Sequence, residues 1–251
     1  MDDAALAAQL VTEAASLAAR MRSDGLTIGH KSSISDLVTD ADRAAERLVV
    51  DTLARERPAD GILGEEGAAA DGTSGRRWII DPVDGTYNFA AGMYHWCSAV
   101  ALHDGDDVVL GAVAHHASGT VLVGGPGRPT TRNGEPVEPL RDRPLAEISA
   151  ATYLHPAFST DDTVRLPWLR AAARPATIRM LGSGSMEMVG IVTGELGCWF
   201  QHSTPPWDWF PGAAIVRGAG GAASSIEIGD RQWFAAGPVA AVAEIQTALQ
   251  G

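Results

Sequence analysis

The stretch Trp78-Ile79-Ile80-Asp81-Pro82-Val83-Asp84-Gly85-Thr86-Tyr87-Asn88-Phe89 constrains this chain more than any other. Trp78 to Ile80 is an apolar run too short for a helix and reads as a buried strand. It delivers Asp81 at its carboxyl end, and Pro82, which has no amide for a ladder, argues against continuing as a central strand. Asp84-Gly85 signals a turn, because glycine adopts backbone angles closed to other residues. Two carboxylates are thus held on one tight bend, followed by the amides of Gly85 and Thr86, which can face an anion. A bare Asp-x-x-Asp-Gly is usually a solvated surface turn; the longer string is far more specific.

With 251 residues the chain can form one large domain or two coupled halves. The formal net charge of -12 argues against nucleic acid as a partner. It also means that a phosphate monoester could be held only where bound cations reverse the local field, which favours a divalent metal. No run approaches the roughly 18 apolar residues of a membrane span. The acidic start Met1-Asp2-Asp3 is unlike a secretory signal, and Cys97 and Cys198 form no CxxC pair. A cytoplasmic location without disulfides or zinc is expected.

Along the chain, Leu6, Leu10, Ala14, Leu17 and Met21 mark a core-facing helix over residues 3–22. Thr39 or Asp40 can cap a second helix that ends near Arg57, and capping alone would explain Asp40 and Asp42. Ile62-Leu63-Gly64-Glu65-Glu66 is another short apolar run ending in carboxylates, followed by a mobile-looking loop over 67–76. Alternating β patterns cover 96–102, 108–115 and 120–124, with a hairpin turn at Arg132-Asn133-Gly134. His115-His116 reads as a strand end, since imidazole is not needed among hard oxygen ligands. Prolines 126, 129, 136, 139 and 144 mark the passage from a first half, 1–140, to a second, 141–251.

In the second half, 148–153 reads as a strand and the region of Trp168 and Arg170 as irregular. Gly182-Ser183-Gly184-Ser185 leads into a helix over 186–193 and lacks the G-x-S-x-G elbow of a serine nucleophile. A strand over 197–201 precedes Trp207-Asp208, where an aspartate at a helix start is favourable in any protein. A single strand and a helix opened by Pro238 close the chain.

Asp81-Pro82-Val83-Asp84-Gly85-Thr86-Tyr87-Asn88-Phe89 resembles the signature of the inositol monophosphatase family. Lys31 to Asp42 is similar to the family's K-x-x-x-x-D-L-V-T-x-x-D element, and Trp207 to Gly221 to its second signature. Gly218 stands where the family usually has Glu. The resemblance implies an α/β fold, a layered αβαβα sandwich of the inositol monophosphatase and sugar phosphatase type. It implies a magnesium-dependent, lithium-sensitive phosphate monoester hydrolase with two to three Mg2+ ions.

By the same resemblance, Glu65, Asp81 and the Val83 carbonyl hold one ion, and Asp81, Asp84 and Asp208 a second. A third would use Glu65 with water. Asp42 and Thr86 position the attacking water, with Glu65 completing the catalytic set. Gly85, Thr86, Ser183, Gly184, Gln201 and Asp84 contact substrate, while Lys31 and Glu66 support the site. Family members are commonly homodimers. Inositol 1-phosphate is the expected substrate, although Gln201 stands where inositol-specific members usually carry Glu. Histidinol phosphate or another small polyol phosphate is the alternative, and a binding or regulatory protein without catalysis is the rival from another class.

Overall fold

A computed structural model describes residues 1–30, 37–105 and 107–251. Helix α1 (Asp3–Asp24) buries Leu6, Leu10 and Ala14, starts where Asp2 accepts from the Ala5 amide, and ends at Gly25 with φ of 109°. Strands β1 (Ile28–His30) and β2 (Leu37–Thr39) pair antiparallel and lead into α2 (Asp40–Glu56). Then come β3 (Gly61–Gly64), β4 (Ala69–Ala70), β5 (Arg76–Asp84) and the short helix α3 (Thr86–Ala90). A meander follows: β6 (Cys97–Asp104), β7 (Asp107–His115), β8 (Thr120–Gly125), β9 (Arg128–Arg132) and β10 (Glu135–Pro136). At its last turn Asn133 and Gly134 both take positive φ, as a two-residue hairpin requires.

The rest of the chain runs β11 (Ser149–Thr152), α4 (Asp162–Ala172), β12 (Thr177–Arg179), α5 (Gly184–Thr193) and β13 (Cys198–His202). It closes with α6 (Pro206–Gly218), β14 (Ala222–Ile228), β15 (Arg231–Gly237) and α7 (Val239–Gln250). The first large sheet has eight strands in the order β10-β9-β8-β7-β6-β5-β3-β4, and the second has five in the order β12-β11-β13-β15-β14.

Apolar clusters fill the spaces between five layers. Leu6 and Leu10 of α1 and Leu53 of α2 pack with Trp78, Ile80 and Val100 on one face of the first sheet. Helices α5 and α6 lie between the sheets, where Met188 and Ile215 join Cys97 and Val113 of the first sheet and Trp199 and Ala236 of the second. Val164 and Trp168 of α4 and Ile245 of α7 cover Phe200 and Trp233 on the far face. This is the expected αβαβα sandwich. Its middle layer is tight, because a side chain at Gly111 of β7 would run into the Pro211 carbonyl of α6.

Several expectations need correction. The 162–172 segment is a helix: Asp161 caps it through the Thr163 amide, and Pro167 inside it obscures the helical period. Two strands, not one, precede α7, joined at Gly229-Asp230. The 67–76 segment contains β4, and the Thr73 and Ser74 amides both donate to the Ala59 carbonyl. Helix α5 begins two residues earlier than expected, with Ser183 as its cap.

Pro82 does not end its strand. β5 continues to Asp84 because the ladder to β6 shifts register between Asp81 and Asp84, and the buried Ser98 hydroxyl donates to the Pro82 carbonyl at 2.6 Å. On the other side, the β3 ladder has already stopped at Ile80. At Gly218 a Cβ would lie 2.6 Å from Thr130 Oγ1, so the glycine lets α6 settle on β9. Cys97 and Cys198 are both free and buried.

Candidate active site

The shift in β5 decides where its carboxylates point. Ile80 packs toward α1 and α2, whereas Ile79 packs with Ala214 of α6 on the opposite face. Asp81 alternates onto the face of Ile79. In a regular strand Asp84, three residues on, would face the other way. The irregularity at Pro82 returns it to the inner side, and Asp81, Asp84 and Asp208 bring carboxylate oxygens within 4.8 Å of one another.

Asp208 comes from the first turn of α6. Its backbone is backed by Gly184, where a Cβ would stand 3.3 Å from the Asp208 carbonyl. Asp84 reaches the same region from the first sheet and accepts the Ser185 amide at 2.6 Å. That bond crosses from one sheet's bulge to the helix layer and fixes the carboxylate. Glu65 follows β3, and its amide donates to the Ile80 carbonyl at 3.1 Å, beside Asp81. Glu65 is outside the tight trio but lines the same cavity.

Thr39 caps α2, and a capping box closes when its amide donates to Asp42 at 2.9 Å. Asp42 also accepts from the Thr86 hydroxyl at 2.9 Å, and that hydroxyl lies 3.0 Å from the Val83 carbonyl. Asp42 therefore fills the capping role weighed for it in the sequence and also holds the Thr86 hydroxyl. Gly85 has φ of 93°, and a Cβ there would press on the His95 carbonyl and Ser183 at 3.1 Å.

Burial pushes the Asp81 carboxyl well above its usual range, and the charges of Glu65, Asp84 and Asp208 push it further. Burial also raises Asp84, against the pull of the Ser185 amide. Burial raises Asp42 against its bonds from Thr39 and Thr86. Among the described residues neither oxygen of Asp81 receives a hydrogen bond, although the residue is only 1% exposed. Buried carboxylates left without donors are costly, and crowding them together is worse. A divalent cation relieves both costs, and an all-oxygen donor set suits a hard ion. These residues fit one.

The cavity measures about 660 Å3 and is also lined by Ser183, Gly184, Gln201, Tyr87, Tyr153 and Trp199. Gln201 sits on β13 and lines the same cavity as the carboxylate cluster, from the second sheet. Glu66 follows Glu65 on the turn, and its amide donates to Glu46 Oε2 at 2.9 Å. Lys31 lies outside the described residues. A second cavity of about 570 Å3 between α1 and β9 has only exposed Asp2 and Glu13 for carboxylates.

Two contributors escaped the sequence reading. Glu187 of α5 is buried, accepts the Leu181 and Gly182 amides at 2.9 and 3.1 Å, and takes the Trp199 indole N–H at 2.8 Å. Burial pushes its carboxyl up to about 7. Asn88 donates to the Leu181 and His95 carbonyls at 2.7 and 2.9 Å, tying the substrate-side loop to the first half. The available signal was a single carboxylate inside the apolar run Met186 to Val192.

Comparison with known proteins agrees with this geometry. Residues 2–250 match the inositol monophosphatase family. The inositol-1-monophosphatase of Rhizobium meliloti is 29% identical over 218 residues, covering 86% of this chain and 82% of that protein. A histidinol-phosphatase of Mycobacterium tuberculosis is 32% identical over 198 residues, covering 76% and 74%. The solved IMPase structure from Thermotoga maritima superposes with a TM-score of 0.85 at 26% identity, covering 99% of this chain and 97% of that one.

Proposed function

Because the chain belongs to the inositol monophosphatase family, and is therefore a metal-dependent phosphoric monoester hydrolase, we propose that it hydrolyses inositol 1-phosphate with Mg2+ at the Asp81–Asp84–Asp208 cluster. The observation that carries this reading is the convergence of three carboxylates within 4.8 Å around Asp81, whose oxygens have no donor. Glu65, Asp81, the Val83 carbonyl, Asp84 and Asp208 would hold two to three ions. A bound ion supplies positive charge for the phosphate oxygens and acidifies a coordinated water.

The protein's own groups do the rest. The Asp42 carboxylate accepts from Thr86 and so aims that hydroxyl's lone pairs at the attacking water. Glu65, which lines the same cavity, shares that water on this reading. The Gly85 and Thr86 amides and the Ser183–Gly184 backbone hold the phosphate and the alcohol it leaves. Gln201, from the opposite sheet, reads a substrate hydroxyl through an amide that both donates and accepts. Lys31 and Glu66 complete the support. Water attacks phosphorus in line, and no phosphoenzyme forms.

We read the chain as two halves, 1–140 and 141–251, each built on one sheet and meeting at this cavity. The working form is a homodimer, a reading supported by the exposed apolar side chains of Met93 and Tyr94. A cytoplasmic location is supported by the two unpaired thiols. Lithium inhibits by competing at one magnesium position.

Histidinol phosphate is the second reading, favoured by the histidinol-phosphatase relative, although Gln201 offers its cationic amine no carboxylate partner. Phosphate release from inositol 1-phosphate, histidinol phosphate and fructose 1,6-bisphosphate, with Mg2+ and with chelator, tests the proposal. Turnover that persists in chelator overturns the metal role. Histidinol phosphate turning over fastest replaces the substrate, and a protein that cleaves none of the panel is the non-catalytic rival.

A further inference from the structure

We infer that Glu46 is the positioning residue that sets Glu65 in place, an inference that rests on reading Glu65 as a ligand of the divalent cation. Glu46 lies one helical turn after Asp42 on α2, so both carboxylates project from the same inward face. It is only 5% exposed. Its Oε2 accepts the Glu66 amide at 2.9 Å and its Oε1 the Ala68 amide at 3.0 Å.

Those two bonds complete the turn that carries Glu65. The Gly64 amide donates to the Ala68 carbonyl at 2.7 Å, the Glu65 amide to Ile80 at 3.1 Å, and the Gly67 amide to Gly64 at 3.4 Å. Each of the five successive amides from 64 to 68 therefore has an acceptor, and Glu46 provides two of them. Gly64 is the matching half of the device, because a Cβ there would run into the Glu46 carboxylate. Helix α2 thus acts as a ruler. Asp42 fixes the Thr86 hydroxyl, and Glu46 fixes the turn that presents Glu65, so one rigid face sets both positions relative to Asp81.

The test uses the metal alone as probe. Calorimetry of Mn2+ and Mg2+ binding is compared for the wild type, Glu46→Gln and Gly64→Ala, with thermal midpoints recorded in chelator. Gln keeps one acceptor and turns an N–H toward the other amide; Ala pushes the carboxylate from the opposite side. Both variants are expected to bind the ion about 10- to 100-fold more weakly, as for other groups that orient a ligand. At saturating Mg2+ most of kcat should return.

Wild-type affinity in both variants, even with a lowered midpoint, overturns the inference and leaves Glu46 a structural group. If Glu46→Gln does not fold, Gly64→Ala decides alone. A wild-type protein that binds no cation sinks the metal reading itself, a result distinct from equal affinities across the three proteins.

Discussion

The Thr86 hydroxyl stands 2.9 Å from Asp42 Oδ1 and 3.0 Å from the Val83 carbonyl, two acceptors for one proton. On the proposed reading, a cation on the Val83 carbonyl would leave the proton to Asp42 and a lone pair of the hydroxyl free for water. Thr86→Val should therefore lower kcat by roughly 100- to 1000-fold with little change in metal affinity, the range for a lost proton-positioning group. Thr86→Ser should restore much of it. Steady-state kinetics beside metal calorimetry separates the two effects, and equal loss in both variants contradicts the role given to the hydroxyl.

Asp84 links the carboxylate cluster to the helix layer through the Ser185 amide. Asp84→Asn keeps the side chain's shape and removes its charge. The rate of phosphate release should fall about a thousand-fold or more, several kcal/mol of barrier. Turnover near the wild-type rate would remove Asp84 from the site.

Gln201, which lines the cavity from the second sheet, is the proposed specificity group. Gln201→Glu should raise kcat/KM for inositol 1-phosphate roughly tenfold relative to a monoester of an uncharged alcohol without neighbouring hydroxyls, since a site that reads hydroxyls discriminates strongly. A ratio shifted toward the polyol supports Gln201 as a hydroxyl reader. An unchanged ratio means that its side chain does not meet the alcohol.

His202 offers a test of stability against pH. Burial lowers it to about 4, with Arg231 adding to the fall and Asp161 opposing it. The ring sits between Phe158 and Trp233, at 5.0 and 5.2 Å, with Nδ1 3.1 Å from Ser203 Oγ. An unfolded histidine takes a proton near pH 6.5, which the folded one refuses. Stability from this group is thus intact above pH 6.5 and lost as pH falls toward 4. His202→Asn should flatten that part of the profile, seen as a smaller drop in Tm between pH 7 and pH 5 in chelator. A drop as large as the wild type's would place the acid sensitivity elsewhere.

Gly111→Ala probes the middle layer, where β7 meets the Pro211 carbonyl. Overpacking there should cost about 1–3 kcal/mol. Each kcal/mol corresponds to roughly 2–4 °C in Tm at this size. Metal affinity should hold while Tm falls. An unchanged Tm would mean that α6 moves away freely.

The residues alone settled the chemistry. That holds for the family and the class of reaction: the strings around Asp81, Asp84 and Asp208 stated a phosphatase family before any fold was in view, and the three carboxylates do converge. Helix α1 was legible from its apolar stripe and α2 from its capping residue, while α6 was read only from an aspartate that suits a first turn. Helix α4 was not, since Pro167 breaks the local pattern while long-range packing of Trp168 overrides it.

What only tertiary structure decided was direction and support. Asp81 and Asp84 are an odd number of residues apart, so a flat strand would part them; the register shift at Pro82 exists because β6 pairs on one side and Ser98 satisfies the freed carbonyl. Likewise nothing near Glu46 in the chain announces that it holds a turn some twenty residues away. Side-chain type is written locally, but the face on which a group emerges depends on which strands pair and in what register. That is set by packing across the whole molecule.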